Sequence, residues 1–374
     1  MLLTTLLYCA TVPATGPLPQ DAYVWQQAWT PAVQEAVDTH PFRDLVVLGG
    51  TLDWEEGLQL FERPALPPES ALALRVEVPP PGKDPLPALQ HALAKLALAY
   101  PQAPYLQLDL DLPTRRLGEY TQWIEALKQA GLPPLRITAL PTWMDDPAFG
   151  DLAHAAPHYV LQLHWFDPKD PTRLLDPEAL AHIEQAADLG VPFSAALPSY
   201  SYTLLFDADS QRVAITAEQG RVAPIGASAK PLRAEQLRAD PAAVAQVVAA
   251  LNQAHPTELE ALVWFRLPTS QDHNSWSMET LTLVAAGDTP AAQAEFQVQA
   301  TGEQIWQIRL LNSGTDTLTL PELHWQQTPT FWDALGSYHR ETGHLNAEGS
   351  LAPGESQVVA WARFPTAPTL LVSH

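Results

Sequence analysis

Strand-like and helix-like segments alternate eight times along the first three quarters of this chain, at a spacing of roughly 30 residues, and that rhythm limits the fold more than any other feature. The strands are predicted near 22–29, 44–52, 71–78, 105–111, 135–141, 159–166, 192–198 and 261–267. Amphipathic helices are predicted over Pro31–Thr39, Leu86–Ala99, Leu117–Ala130, Pro177–Leu189, Pro241–Gln253 and Trp276–Ala285. Thr30 before Pro31, Asp176-Pro177 and Asp240-Pro241 supply caps and first-turn prolines, while Gly131 and Gly190 stand at helix ends. Parallel strands joined by helical crossovers close after eight repeats into an α/β fold, a (β/α)8 TIM-like barrel. A doubly wound open sheet is the competing architecture. Its strands, buried on both faces, read as near-continuous apolar runs, whereas polar residues recur here at alternate positions.

The sharpest alternation is Tyr105-Leu106-Gln107-Leu108-Asp109-Leu110-Asp111, which puts three leucines on one face and Gln107, Asp109 and Asp111 on the other. With the polar face turned to a barrel axis, the same logic sends Trp25 and Gln27, Arg75 and Glu77, Thr138, Gln162 and His164, and Trp264 and Arg266 inward, with Tyr200 and Tyr202 just past the seventh strand. A barrel packed for stability alone takes Val, Ile and Leu in those layers, so this lining implies a wet pocket for a polar ligand at the C-terminal strand ends.

Composition excludes several partners and chemistries. There are 42 acidic against 20 basic residues, a formal charge of −22, and no basic cluster offsets it, so nucleic acid and anionic lipid are not expected partners. The single cysteine, Cys9, leaves the body of the chain without disulfides, thiolate ligands or a thiol nucleophile. Residues 1–20 form a signal-like segment with an apolar run and no positive start, predicting export to the periplasm or beyond; Cys9 raises the alternative of a lipid anchor. No later run reaches the ~18–20 apolar residues of a membrane span. The barrel is expected over 21–288. From about Ala291 short alternating strands broken by Asn312-Ser313-Gly314 and Pro353-Gly354 predict a C-terminal all-β sandwich over 289–374. Ser199–Arg233 is too long for a simple connection and reads as an inserted hairpin over the barrel mouth.

Hydrolysis of a glycosidic bond takes two carboxyl groups about 5–9.5 Å apart, one an acid and one a base or nucleophile. Glu77 with Asp109 on neighbouring strands, or Asp109 with Asp111 on one strand, meets that need, and the sequence leaves both pairings open. Trp25, Trp143, Tyr200 and Trp264 offer faces for sugar rings, and Arg75, Gln107, His164 and Arg266 offer polar contacts. Bland readings stand beside these: Arg75 with Glu77 or Asp109 as a self-satisfied ion pair, Asp111 as a loop cap, His164 as an interior hydrogen-bonded histidine. No metal or other cofactor is expected. His154 and His158 have helical i, i+4 spacing, but Pro157 breaks the turn that would align them, and there is no phosphate loop, GxGxxG or GxSxG.

Asp21-Ala22-Tyr23-Val24-Trp25 through Thr30-Pro31, Leu106-Gln107-Leu108-Asp109-Leu110-Asp111, Ile137–Trp143, Leu161-Gln162-Leu163-His164 and Ala196–Tyr200 together resemble a bacterial family known as domain of unknown function 3142, over most of residues 21–285. The resemblance implies an exported protein similar to glycosidase barrels. The expected function is thus a glycoside hydrolase-like enzyme on an oligo- or polysaccharide, with a non-catalytic glycan-binding or envelope scaffold as the alternative.

Overall fold

A computed structural model describes residues 16–64, 66–165, 173–207, 212–216, 222–224, 233–272 and 275–373. The signal-like segment and Cys9 lie outside the described residues. The chain divides into two units between Asn274 and Ser275.

In the first unit eight parallel strands close a barrel. They are β1 (Gln20–Val24), β2 (Leu45–Asp53), β4 (Ala71–Val76), β5 (Leu106–Asp109), β6 (Leu135–Ala139), β7 (Tyr159–Gln162), β8 (Phe193–Pro198) and β13 (Leu259–Phe265). Their order is β1-β13-β8-β7-β6-β5-β4-β2, and pairing of β2 with β1 closes the ring. Helices α1 (Pro31–Thr39), α2 (Leu86–Ala99), α3 (Leu117–Lys128), α4 (Pro147–Ala155), α5 (Ala179–Asp188) and α6 (Pro241–Ala254) provide the crossovers. The caps act as the sequence implies: Thr30 Oγ1 accepts from Val33 N and Asp240 Oδ1 from Ala242 N. The sequence reading missed α4, although Asp146-Pro147 carries the same signal, with Asp146 Oδ1 accepting from Ala148 N at 2.9 Å. α5 starts later than predicted because Asp176 closes a turn onto Glu178 N and holds His182 at 2.6 Å before the helix begins.

One crossover departs from the repeat. After β2 the chain turns back as β3 (Gly57–Leu60), antiparallel to β2, and reaches β4 without a helix. α2 compensates by lying across β2 as well as β4. Gly49 on β2 is the point of approach, since a Cβ there would stand 2.5 Å from Leu96 Cδ1 and 3.0 Å from Leu72 Cδ1. Arg63, beyond β3, is buried and ties this turn to the barrel, donating to the carbonyls of Leu48, Gln26 and Gln27 at 2.7–3.0 Å. Burial away from any carboxylate lowers its pKa to about 10. Arg63→Ala strands those carbonyls, so chemical denaturation should show a loss of about 2–4 kcal/mol; a change under ~0.5 kcal/mol would mean water replaces the guanidinium at no cost.

The interior is layered by size. Ala71, Ala73 and Ala196 with Val46, Val160 and Val263 leave room for Tyr23, Trp25, Tyr105 and Phe265 from facing strands. Leu106, Leu108 and Leu110 are fully buried on the opposite face of β5. Past β8 the predicted hairpin is a four-stranded antiparallel sheet: β9 (Ser201–Phe206), β10 (Arg212–Thr216), β11 (Val222–Pro224) and β12 (Arg233–Arg238), ordered β11-β10-β9-β12.

The second unit opens with α7 (Met278–Ala286), capped by Ser277 and ended by Gly287 at φ +84°. Two four-stranded antiparallel sheets and a two-stranded one follow. Ile308, Leu310, Leu323, Leu345, Val359 and Phe364 share one buried cluster. No helix among the described residues is long and apolar enough to cross a membrane.

Candidate active site

The C-terminal ends of the barrel strands surround a cavity of about 200 Å3. Asp109 ends β5 and Asp111 stands two residues further along the same face. Thr138 comes from β6, Gln162 from β7, Arg75 from β4, Tyr23 and Trp25 from β1 and its end, and Phe265 from β13. His164, Trp165, Tyr200 and Tyr202 complete the wall.

The carboxylates differ in setting. Asp109 is 9% exposed, and its Oδ1 accepts from Thr138 Oγ1 at 2.9 Å and from Gln162 Nε2 at 3.3 Å. Asp111 is exposed at the mouth, and its Oδ1 accepts from the same Gln162 Nε2 at 3.4 Å. One amide nitrogen therefore spans both groups. Both oxygens accept from one nitrogen at 3.3 and 3.4 Å, so they lie no more than about 6.7 Å apart, a bound that admits a retaining pair at ~5–5.5 Å and leaves out most of the inverting range. Burial, then the neighbouring Asp111 charge, raises the Asp109 pKa to about 7, against the lowering pull of Arg75, Thr138 and Gln162. Asp111 is raised too, first by desolvation between the walls of the mouth and further by Glu77, with Arg75 and Gln162 opposing.

Arg75 does not lock either acid. Among the described residues it forms no ion pair within 4 Å and acts on the pair only through its field. A self-satisfied ion-pair layer would instead hold the guanidinium against a carboxylate. Glu77 follows β4, is exposed, and lies at the rim outside the cavity wall; its carbonyl accepts from Trp54 Nε1 at 2.6 Å.

The other predicted residues separate into wall and scaffold. Trp25, His164 and Tyr200 are in the wall, with Trp25 edge-on to Tyr23 and Phe265 at 5.3 Å each. Burial lowers the His164 pKa to about 3, so its ring is neutral; Nε2 is buried without a partner among the described residues. Gln107 sits one layer below, fully buried, donating to Tyr23 Oη at 2.6 Å.

Three predicted contacts are not in the wall. Trp264 is 0% exposed on the outer face of β13 and donates to Gln20 Oε1, because the inward positions of that strand are Val263 and Phe265. Arg266, beyond the cis peptide Phe265–Arg266, is buried against Asp272 at 3.0 Å. Trp143 is 0% exposed among Tyr120 and Phe149 and donates to Leu112 O. Conversely, Tyr202 is in the wall as the inward reading implies, whereas Tyr23, Trp165 and Phe265 are wall residues that the sequence reading did not name. Alternation Asp21/Tyr23/Trp25 on β1 pointed to Tyr23; nothing in the sequence marked Trp165. His154 caps back onto Gly150 O while His158 is buried near Ser194, so the two imidazoles do not meet.

A larger cleft of about 680 Å3 runs between α5 and α6 from Arg173 and Asp176 to Arg238 and Val247, away from the carboxylate pair.

The comparisons agree with the resemblance read from the strand motifs. Residues 93–270 match the family described as Domain of unknown function (DUF3142). The matched segment runs from within α2 past β13 and carries Asp109, Asp111, Thr138, Gln162 and His164, while Tyr23, Trp25 and Arg75 precede it. Curated proteins give no match. Among solved structures the chain is similar to the spore cortex-lytic enzyme SleL of Bacillus cereus, at 11% identity and TM-score 0.47, over 74% of this chain and 75% of that one. It is also similar to the GH18 chitinase ChiB of Flavobacterium johnsoniae, at 10% identity and TM-score 0.44, over 73% and 94%. The catalytic domain of a hyperthermophilic chitinase from Pyrococcus furiosus follows at 9% identity and TM-score 0.39, over 74% and 98%.

Proposed function

We propose that this chain is an exported carbohydrate-active enzyme that hydrolyses a glycosidic bond of an oligo- or polysaccharide, with Asp109 as general acid and Asp111 as base or nucleophile. The single observation that carries this reading is the Gln162 amide joining two carboxylates, with no arginine ion-paired to either among the described residues. Two such groups hold one proton between them near neutral pH. The more buried Asp109 keeps the proton and Asp111, facing solvent and the Arg75 field, stays ionised, which is the division of labour glycoside hydrolysis needs. Glu77, the other partner open from sequence, lies outside the wall and acts on Asp111 by charge. The cavity is smaller than the ~300–1,000 Å3 typical of pockets for drug-sized ligands, which favours one sugar ring inside and the rest of the glycan across the mouth.

The test is a screen of the purified chain against oligo- and polysaccharides, in parallel with Asp109→Asn, Asp111→Asn and Glu77→Gln. Turnover lost with either aspartate and largely kept with Glu77→Gln supports the pair. Binding without turnover in the wild type selects the non-catalytic glycan-binding reading. Trp25→Ala should weaken glycan affinity by roughly 3–10-fold with the barrel intact, the contribution of one aromatic face, measured by calorimetry; unchanged affinity would remove Trp25 from the ring-binding wall.

A further inference from the structure

In the second unit, Glu322 and His324 are two apart on the strand Glu322–Trp325, so they share a face while Leu323 between them is buried in the core. The antiparallel partner strand His344–Ala347 places His344 directly opposite His324. Their rings stack with centroids 5.1 Å apart and an interplanar angle of 28°. His324 Nε2 lies 2.8 Å and His344 Nε2 3.3 Å from the same oxygen, Glu322 Oε1, and His344 Nε2 is also 3.2 Å from Glu341 Oε2. One donor atom from each of Glu322, His324 and His344 falls within 4.8 Å of the others.

A surface network of imidazolium and carboxylate is the plain reading, and exposed pairs of that kind are weak. Two features point further. His344 Nδ1 is 3.3 Å from the Thr342 carbonyl, which can only accept, and this contact orients the ring so that Nε2 faces two carboxylates. Glu341 is in turn held from behind, its Oε1 accepting from Asn346 Nδ2 at 3.3 Å with His339 Nε2 at 3.4 Å, as partners of metal ligands are. Zinc bonds of ~2.0–2.2 Å in a tetrahedron set donor atoms ~3.3–3.5 Å apart, close to the spacings already present. Two imidazoles with two carboxylates suit zinc-class ions, whereas calcium and magnesium take oxygen alone.

We propose that Glu322, His324 and His344, with Glu341 beside His344 as a fourth ligand, bind one divalent transition cation of the zinc class, clamping two strands of this sheet independently of the barrel chemistry. The full chain, stripped with chelator, is titrated with Zn2+ by calorimetry and with Co2+ by visible absorption. One equivalent per chain and the absorption of four-coordinate cobalt are expected. His324→Ala and His344→Ala should each weaken binding at least 100-fold and Glu341→Gln roughly 10-fold, while His154→Ala on α4 leaves it unchanged. Absence of a stoichiometric site, or affinity indifferent to both His324 and His344, overturns the proposal. Circular dichroism of the variants confirms that these surface changes leave the sheet folded.

Discussion

Asp109→Asn should lower turnover on a hydrolysed glycan by about 10²–10⁴-fold, the contribution of a positioned general acid, and should at the same time make the barrel more stable in alkaline solution. Both effects follow from one cause. Burial and the Asp111 charge raise the Asp109 pKa from its ordinary 3.8 to about 7, so the folded protein holds that proton more tightly than the unfolded chain does. A raised folded pKa means the associated stability is fully present below about 3.8 and is lost as pH climbs through about 7. Asparagine keeps the hydrogen-bond shape and has no charge to bury, so the penalty above neutrality disappears. In the wild type the rate should fall as pH rises through about 7, because the acid must be protonated. Parallel pH–rate and pH–melting profiles of the wild type and variant test this. A variant that retains wild-type turnover, or an alkaline limb unchanged in Asp111→Asn, would falsify the assignment of acid and partner.

Trp143→Ala should cost about 3–5 kcal/mol, the usual price of emptying a buried tryptophan site. Its indole is fully enclosed by Tyr120 and Phe149 at 6.2 and 6.1 Å, and Nε1 donates to Leu112 O at 3.0 Å. That carbonyl sits in the turn leaving Asp111, so the indole braces the loop that presents the outer carboxylate. Thermal unfolding should drop on the order of 10 °C. Glycan affinity per folded molecule should change little, in contrast to Trp25→Ala. A small loss of stability with a large loss of affinity would return Trp143 to the role of a sugar platform.

The contrast between these two tryptophans shows where the sequence was legible. Strict alternation on β5 identified Asp109 and Asp111 because the leucines between them must face the helices, and alternation on β7 did the same for Gln162. Capping chemistry located α1 and α6 at the observed starts. Parity failed on β13, where a register shift between Leu259 and Ala261 accompanies inward-facing Val263 and Phe265 and sends Trp264 outward. Trp143 lies past the end of its strand, in a helical turn where period-two alternation no longer applies. No helix is predicted between the second and third strands, and none is there; β3, at four residues, is too short to announce the hairpin that replaces it. The cluster around His324 needs a pairing between strands 20 residues apart in sequence, which local patterns do not encode.

The antiparallel sheet that follows β8 is sealed at its root, where Ser201 pairs with Arg238 and Ala239 N donates to Tyr200 O at 3.0 Å. Tyr200 and Tyr202 belong to that root, so the cavity wall is anchored before the chain travels outward. The outer strands β10 and β11 are thereby free to vary in length or composition without shifting either phenol, giving the fold a place where the approach to the cavity can change while Asp109 and Asp111 stay put.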